Sequence, residues 1–245
     1  MQEREKLPDA DARARILDAS LRLFSQKGYD AASVSEIAAE AHVTKALIYY
    51  YFKSKEAILE SLFAELFQNL DGFALNFVNT AIVDAIKAGT LDIQTDRFHF
   101  NSQGALEHFL AQTEAFLRAL LDYAISQRHI LRILSIESLR NEKHRRDLLR
   151  ILDMTKYGGE RNLVDIISSA DSDFNYSRDM DIFKLFFMIF PIISFASYCE
   201  DYAKATGHGV AELGASFLNL FRFQLGAMVD GNDLRVRELP AYGGL

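Results

Sequence analysis

Three consecutive tyrosines, Tyr49, Tyr50 and Tyr51, lie between two lysines, Lys45 and Lys55. On a helix, three successive side chains span roughly 200° of the circumference at about 100° per residue, so they cannot all be buried. Phenolic hydroxyls and ammonium groups are hydrogen-bond donors that suit phosphate oxygens. The chemistry that this stretch could perform is therefore the binding of a phosphate-bearing partner.

Two short helices joined by a tight turn would hold these side chains in place. Ser33 and Glu36 form an S-x-x-E capping box, in which the two side chains satisfy N–H groups at the start of a helix. Thr44 is a suitable N-cap for the next helix, whose inward face is formed by Ile48 and Phe52 at i, i+4 spacing. This arrangement predicts a helix-turn-helix, the motif whose second helix enters the major groove of DNA.

The outward surface of the second helix combines aromatic rings, hydroxyls and positive charge. Its predicted members are Lys45, Ala46, Leu47, Tyr49, Tyr50 and Tyr51. The small Ala46 allows close approach of the backbone, and Ala46 and Leu47 could touch thymine methyl groups. The helical wheel alone leaves a second interpretation open, in which the tyrosines of a plain helical hairpin pack on another helix or subunit.

The bulk composition describes an ordinary globular chain rich in helix formers. The 245 residues are 49% hydrophobic and 25% charged, with three prolines, which favours a helical fold with a sizeable core. The single cysteine, Cys199, excludes an internal disulfide and fits a reducing compartment. The formal net charge of −7 argues against nonspecific coating of nucleic acid, whereas residues 42–55 hold three lysines and no acid.

The rest of the chain shows helical periodicity and no convincing strand pattern. Helices are predicted over Asp71–Ala88, Ala105–Ser126 and most of the chain up to Val229, with a polar irregular segment over Gly89–Gly104. The apolar stretch Leu185–Cys199 has 15 residues and contains a proline, so a buried helix or subunit interface is expected rather than a membrane span. The basic segment Arg140–Arg146 is interpreted as a solvated helix junction.

No catalytic, metal or cofactor motif is found. The six histidines show no H-x-x-x-H pair, and the D-x-D-x-N start at Asp171 lacks the glycine and the final glutamate of a calcium loop. The chain also lacks G-x-S-x-G, P-loop and G-x-G-x-x-G sequences. We therefore expect no enzyme activity, no metal and no cofactor.

The segment Ala12–Phe63, ARARILDASLRLFSQKGYDAASVSEIAAEAHVTKALIYYYFKSKEAILESLF, resembles the N-terminal domain of the tetracycline-repressor (TetR) family of transcriptional regulators. The matching elements are ILDAS…LF, KGY, SVSEIA, VTKALIYYYF and SKE, in order and at family spacing. Two departures are visible. His42 stands where the family usually has glycine, and Tyr51 replaces a frequent histidine.

The resemblance implies a DNA-contact role for ten residues. Ser33 matches the residue that opens the second helix against phosphate, and Ser35 matches a position that can reach a base. The start of the recognition helix, its aromatic run and a following phosphate-binding lysine correspond to Thr44, Lys45, Ala46, Leu47, Tyr49, Tyr50, Tyr51 and Lys55. Lys53 is interpreted as a solvated surface lysine.

The family's organisation implies an all-α protein with two domains. A helix-turn-helix domain over residues 1–56 is expected to continue through a helix of about 55–70 into a ligand-binding and dimerisation domain over 57–230, followed by a tail over 231–245. The two last long helices offer more phenylalanine surface than one monomer needs, which favours a homodimer through a four-helix bundle. Partners would be double-stranded operator DNA and a small, apolar or aromatic effector, with unassigned pocket residues.

The predicted function is a cytoplasmic, ligand-responsive repressor that binds a two-fold operator as a dimer. Residues 1–12 are charged and lack the apolar region of a secretory signal, which agrees with this location. Two other classes stay open: a ligand-binding or scaffold protein that has lost operator binding, and an enzyme of the helical second domain. The first would leave Lys45, Tyr49 and Lys55 without a purpose, and the second would show turnover.

Overall fold

The computed structural model describes residues 9–94, 97–149, 162–174 and 182–226. Most of these residues are helical, which confirms the all-α fold class. The first helices are α1 (Asp9–Lys27), α2 (Val34–Glu40), α3 (Lys45–Tyr51), α4 (Lys55–Phe77) and, after a π-helical segment at Val78–Val83, α5 (Asp84–Lys87). The later ones are α6 (Gln103–Ser126), α7 (Arg128–Arg140), α8 (Glu142–Leu149), α9 (Leu163–Ala170), α10 (Phe190–Thr206) and α11 (Val210–Gly226).

Local capping signals determine where the N-terminal helices begin. The capping box of α2 is complete, because Ser33 N donates to Glu36 Oε2 at 2.9 Å and Ser33 Oγ accepts from Glu36 N at 3.3 Å. Thr44 Oγ1 caps α3 by accepting, at 3.2 Å, from the N–H three residues on. Ser54 caps α4 in the same way at 3.1 Å. The predicted caps of α2 at Ser33 and of α3 at Thr44 are therefore confirmed.

The first four helices share one apolar core. Ile16 and Phe24 of α1, Ile37 of α2, Ile48 of α3 and Ile58 of α4 are each at most 1% exposed. Burial of one such side chain stabilises the fold by roughly 1.5–3 kcal/mol. The small helices α2 and α3, too short to be stable alone, are thereby fixed relative to the longer α1 and α4.

His42 makes the tight connection between α2 and α3. Its φ is +54°, the left-handed conformation that glycine adopts without steric cost. The turn is closed by Val43 N, which donates to Ala38 O at 2.9 Å. A non-glycine residue in this conformation costs roughly 1–2 kcal/mol, so the turn keeps the geometry of a glycine turn at some expense of stability.

The substitution His42→Gly is expected to raise the free energy of unfolding by up to about 1 kcal/mol, because relief of strain exceeds the added backbone entropy. Chemical denaturation followed by circular dichroism measures the change. Gly28→Ala is the control in the opposite direction. Gly28 has a φ of +85°, and an added Cβ meets nothing within 4 Å, so the substitution adds backbone strain without a clash. It should destabilise by about 1 kcal/mol, and equal stability of both variants would contradict the strain argument.

The described chain forms two compact units. The first contains α1, α2, α3, most of α4, α7 and α8, and the second contains the remaining elements. The domain boundary predicted from the sequence, at residue 57, would place α7 and α8 in the second domain. In the structure, α7 packs against α1 in the first unit. The boundaries of the ligand-binding domain stay a prediction, and the tail over 231–245 lies outside the described residues.

The expectation of an irregular segment over Gly89–Gly104 is wrong. An antiparallel hairpin pairs β1 (Leu91–Gln94) with β2 (Arg97–Phe100), with Leu91 opposite Phe100. Leu91 and Ile93 alternate inward and join the core of the second unit beside Phe109. Strands of four residues give too short an alternation to be distinguished from a loop by sequence.

A helix of 24 residues, Phe183–Thr206, combines a π-helical segment, Phe183–Ile189, with α10. Pro191 lies at the start of α10, directly after the π-helical turns, and the helix continues through it. By length and composition alone this helix could cross a membrane, which is weak evidence because a core helix of a soluble protein meets the same criteria. Only 33% of its most apolar window is buried within the described chain, so an apolar surface is left uncovered.

Candidate nucleic-acid interface

Helix α3 is anchored by two residues on its inner side. Ile48 is 1% exposed and Phe52, at the C-terminal cap of α3, is 4% exposed. Both were expected to be core residues, and this is confirmed. The guanidinium of Arg13 lies 5.5 Å from the centre of the Phe52 ring, which ties the end of α3 to α1. The opposite face of α3 is consequently held toward solvent in a fixed orientation.

The solvent face of α3 brings most of the predicted contact residues together. Tyr49 is 55% and Tyr50 74% exposed, and Lys45 and Ala46 are exposed beside them. Tyr51 is half-buried and packs edge-on against Tyr50, with ring centres 5.1 Å apart. The remaining predicted contacts on α2 and α3 are Ser33, Ser35 and Thr44, all exposed, and Leu47, which is half-buried.

Two lysines near this face are unpaired within the described chain. Lys45 and Lys53 are exposed and make no hydrogen bond or ion pair there. Lys45 begins α3, and Lys53 lies in the connection between α3 and α4. The local excess of positive charge predicted for residues 42–55 is thus presented to solvent by these two side chains. Lys53, interpreted from sequence as a plain surface lysine, is as accessible to a phosphate as Lys45.

The start of α2 carries a carboxylate rather than an open anion site. Glu36 accepts from Lys27 and from the hydroxyl and backbone N–H of Ser33. These hydrogen bonds, that of Lys27 first, lower the pKa of Glu36 from 4.5 to about 2. A phosphate at Ser33 would have to share its hydroxyl with Glu36. The phosphate contact predicted for Ser33 stays a prediction.

Because the pKa of Glu36 is lowered by folding, its carboxylate stabilises the fold above about pH 4.5. That stabilisation is lost as the pH falls toward about 2. Glu36→Gln should therefore lower Tm at pH 7 more than at pH 3, measured by circular dichroism. Glu40→Gln is the control, because Glu40 pairs with Arg22 at 3.1 Å but caps no helix. A pH-independent difference in Tm between wild type and Glu36→Gln would contradict this assignment.

The ammonium of Lys55 closes the loop that precedes α2. Its Nζ donates to Tyr29 O at 2.8 Å, Ala32 O at 3.0 Å and Asp30 O at 3.2 Å. It also lies 4.3 Å from the centre of the Tyr29 ring. A lysine has three N–H donors, and all three are directed to these carbonyls. The predicted phosphate contact of Lys55 stays a prediction, and the structure gives this side chain a competing role within the fold.

The interpretation of Arg140–Arg146 as a solvated junction is wrong for one residue. His144, on α8, is fully buried and packs edge-on against Phe63 of α4, with ring centres 5.5 Å apart. A lone histidine among basic residues gives no periodic signal of burial, so sequence reasoning missed it.

Nothing in the described ranges suggests metal chemistry. Across residues 9–94, 97–149, 162–174 and 182–226, no three His, Cys, Asp or Glu side chains cluster as metal ligands would. Cys199 is buried. The loop from Asp171 to Phe174 is described, but most of the segment compared with a calcium loop lies outside these ranges.

The fold and surface of the first four helices together define a helix-turn-helix domain with a solvent-facing recognition helix. Residues 16–62 match the model of the bacterial regulatory proteins of the tetR family. The resemblance found in the sequence is thereby confirmed for this segment.

Relatives share this segment and little more. The uncharacterized HTH-type transcriptional regulator YuxN of Bacillus subtilis is 47% identical over 62 residues, which are 25% of this chain and 19% of the relative. The negative transcriptional regulator IcaR of Staphylococcus aureus is 44% identical over 46 residues, 19% of this chain and 25% of IcaR. The chain therefore spans a quarter or less of the length of these two relatives.

Likeness over most of the chain is found with solved structures at low identity. The fatty acid degradation regulator FadR of Bacillus halodurans covers 89% of this chain and 96% of its own at 19% identity, with a TM-score of 0.49. A likeness at this level carries no information on the effector or the DNA site.

Proposed function

We propose that this protein is a transcriptional regulator that binds a two-fold operator as a homodimer and is released from it by a small effector. The observation that carries the proposal is the exposed face of α3. Lys45, Tyr49 and Tyr50 project there from a helix anchored by Ile48 and Phe52, within a segment that matches the tetR family. Such a face has no evident purpose in a protein that does not meet phosphate.

In this proposal the first turn of α3 reads bases and the tyrosines reach phosphates. Thr44, Lys45, Ala46 and Leu47 lie at the end of the recognition helix that enters the groove first. Tyr49, Tyr50, Tyr51 and Ser33 would position the domain on the backbone, and Ser35 would approach a base. Repression is the proposed sense of regulation, supported by the description of IcaR as a negative regulator.

The proposed dimer interface is the uncovered face of the C-terminal helices. Phe186, Phe187, Tyr198 and Tyr202 are 50–60% exposed, and Leu220 of α11 is 67% exposed. Aromatic residues are enriched in the cores of protein interfaces, and so many exposed large apolar side chains on two successive helices favour an interface there. A single short recognition helix reads few bases, so a dimer on two half-sites would also supply the specificity.

The effector is proposed to be apolar or aromatic and to bind in the second unit. Support comes from its phenylalanines, among which Phe77 and Phe116 stack with ring centres 4.4 Å apart. Phe109 contacts Phe77, Phe98 and Phe100 and is 5% exposed, so it is a core residue in this state. We propose a cytoplasmic location and no catalytic role, in line with the regulators that share the N-terminal domain.

Selection from random double-stranded DNA, followed by fluorescence anisotropy, tests the proposal. The selected duplex and the duplex upstream of the protein's own gene are compared with shuffled duplexes at the same salt concentration. We expect binding at least about 1,000-fold tighter to the selected than to the shuffled duplex. No enrichment, or equal weak binding to every duplex, would favour a ligand-binding protein that has lost operator recognition. Release of the bound duplex on titration with apolar or aromatic compounds would then identify effectors.

A further inference from the structure

Glu56 connects two parts of the first unit that are distant in sequence. Glu56 lies in the first turn of α4, where a carboxylate interacts favourably with the helix dipole. In the structure, Oε2 accepts from the hydroxyl of Tyr29 at 2.7 Å, in the loop before α2. Oε1 lies 3.1 Å from Nε2 of His144 and 3.5 Å from Nζ of Lys143, both on α8. Glu56 therefore contacts the loop and α8 at once.

The contact on the α8 side is buried. The His144 side chain is 1% exposed, and its Nδ1 lies 3.1 Å from Asp147 Oδ2. Nδ1 is hydrogen-bonded to Asp147, whereas the buried Nε2 and Glu56 Oε1 approach each other without the geometry of a hydrogen bond. Because burying a polar group without a hydrogen bond is costly, the placement of this ring is sensitive to the position of the Glu56 carboxylate. Lys143 flanks the site from solvent and also pairs with Glu60, one turn further along α4. Helix α8 is thus held on the first two turns of α4 by polar contacts.

The contact on the loop side reaches the start of α2. Tyr29 packs edge-on against Phe24 at 5.2 Å and under the ammonium of Lys55. Burial, reinforced by the hydrogen bond to Glu56, raises the pKa of Tyr29, so its hydroxyl remains a donor. The carbonyls that accept from Lys55 Nζ belong to the same loop, which ends at the N-cap Ser33.

We propose that Glu56 is a positioning residue for DNA binding, which couples the placement of α8 to the helix-turn-helix through Tyr29. The inference rests on the proposed function. The chain passes from α6, most of which belongs to the second unit, into α7 and then α8 of the first unit, so α8 is separated from α6 only by α7. A shift of α8 removes one partner of Glu56, alters the loop at Tyr29 and changes how α2 and α3 meet DNA.

A double-mutant cycle on DNA affinity tests the coupling. His144→Gln and Tyr29→Phe change residues that both contact Glu56 and face the domain interior rather than DNA. Operator Kd is measured by anisotropy for both single variants, the double variant, and the same set in a Glu56→Gln background. We expect a coupling of about threefold or more in Kd, and its loss in the Glu56→Gln background. If, in the native background, the Kd of the double variant equals the product of the two single effects to within about twofold, the inference is overturned.

The controls separate positioning from general damage. Glu60→Gln removes another carboxylate of α4, which pairs with Lys143 but makes no hydrogen bond or ion pair with the loop among the described residues, and we expect wild-type affinity. All Kd values are taken well below the unfolding midpoint of every variant, so that only folded protein is compared. If His144→Gln does not fold, the cycle is run with Lys143→Met, whose side chain is 53% exposed and pairs with Glu56 from the same helix. Absence of any selected DNA would overturn the proposed function, whereas binding with independent effects would overturn only the role of Glu56.

Discussion

Replacing Phe187 and Leu220 together with glutamate is expected to convert the protein to a monomer and to weaken operator binding by about 100-fold or more. Both side chains are at least half exposed on the uncovered face of the C-terminal helices. In a dimer built on that face the glutamates would be buried without partners, which is strongly unfavourable. A monomer engages one half-site, so the gain from binding two linked half-sites is lost.

Light scattering coupled to size-exclusion chromatography gives the oligomeric state, and anisotropy gives the affinity. The matched control is Leu139→Glu, because Leu139 is 82% exposed on α7, outside that face. The control should remain a dimer with wild-type affinity. A Phe187→Glu, Leu220→Glu double variant that stays dimeric would place the interface elsewhere.

The substitution Lys55→Met is expected to weaken operator binding by about tenfold, equivalent to about 1.4 kcal/mol, without changing its dependence on salt. Methionine keeps the length of the side chain but leaves the carbonyls of Tyr29, Asp30 and Ala32 without their shared donor. The loop before α2 then loses its closure, and the free energy of unfolding should fall by about 1–3 kcal/mol.

The salt dependence distinguishes this role from the predicted phosphate contact. Each phosphate contact contributes about 0.9 to the slope of log K against log salt concentration. Lys45→Met, which removes an exposed and unpaired lysine, should lower that slope by about this amount. If Lys55→Met lowers it equally, Lys55 leaves the loop to meet DNA and the closure is secondary.

The sequence was sufficient for the N-terminal helices because their signals are local. The hydrogen bonds of Ser33, Thr44 and Ser54 each join residues three apart, so their geometry follows from residue type and spacing. The inward positions Ile48 and Phe52 follow from helical periodicity in the same way. The tight turn at His42 could be located as well, because Thr44 caps the start of α3 two residues later.

The hairpin of the second unit could not be predicted because its strands are too short to show a period. Leu91 and Ile93 point inward only because the core beside Phe109 receives them. Without that partner surface, the segment is as polar as a loop. Its structure is therefore decided by packing between distant parts of the chain rather than by local preference.

The sequence by itself determined the helix-turn-helix, its caps and the residues available on its outer face. Only the tertiary structure decided that Lys55 closes the loop before α2, that His144 is buried, and that Glu56 contacts both this loop and α8. Lys55 meets carbonyls 23 to 26 residues away. The partners of Glu56 on α8 are more distant still along the chain. Backbone propensity and side-chain spacing act over a few residues, whereas such contacts exist only after the chain has brought α8 back onto α4.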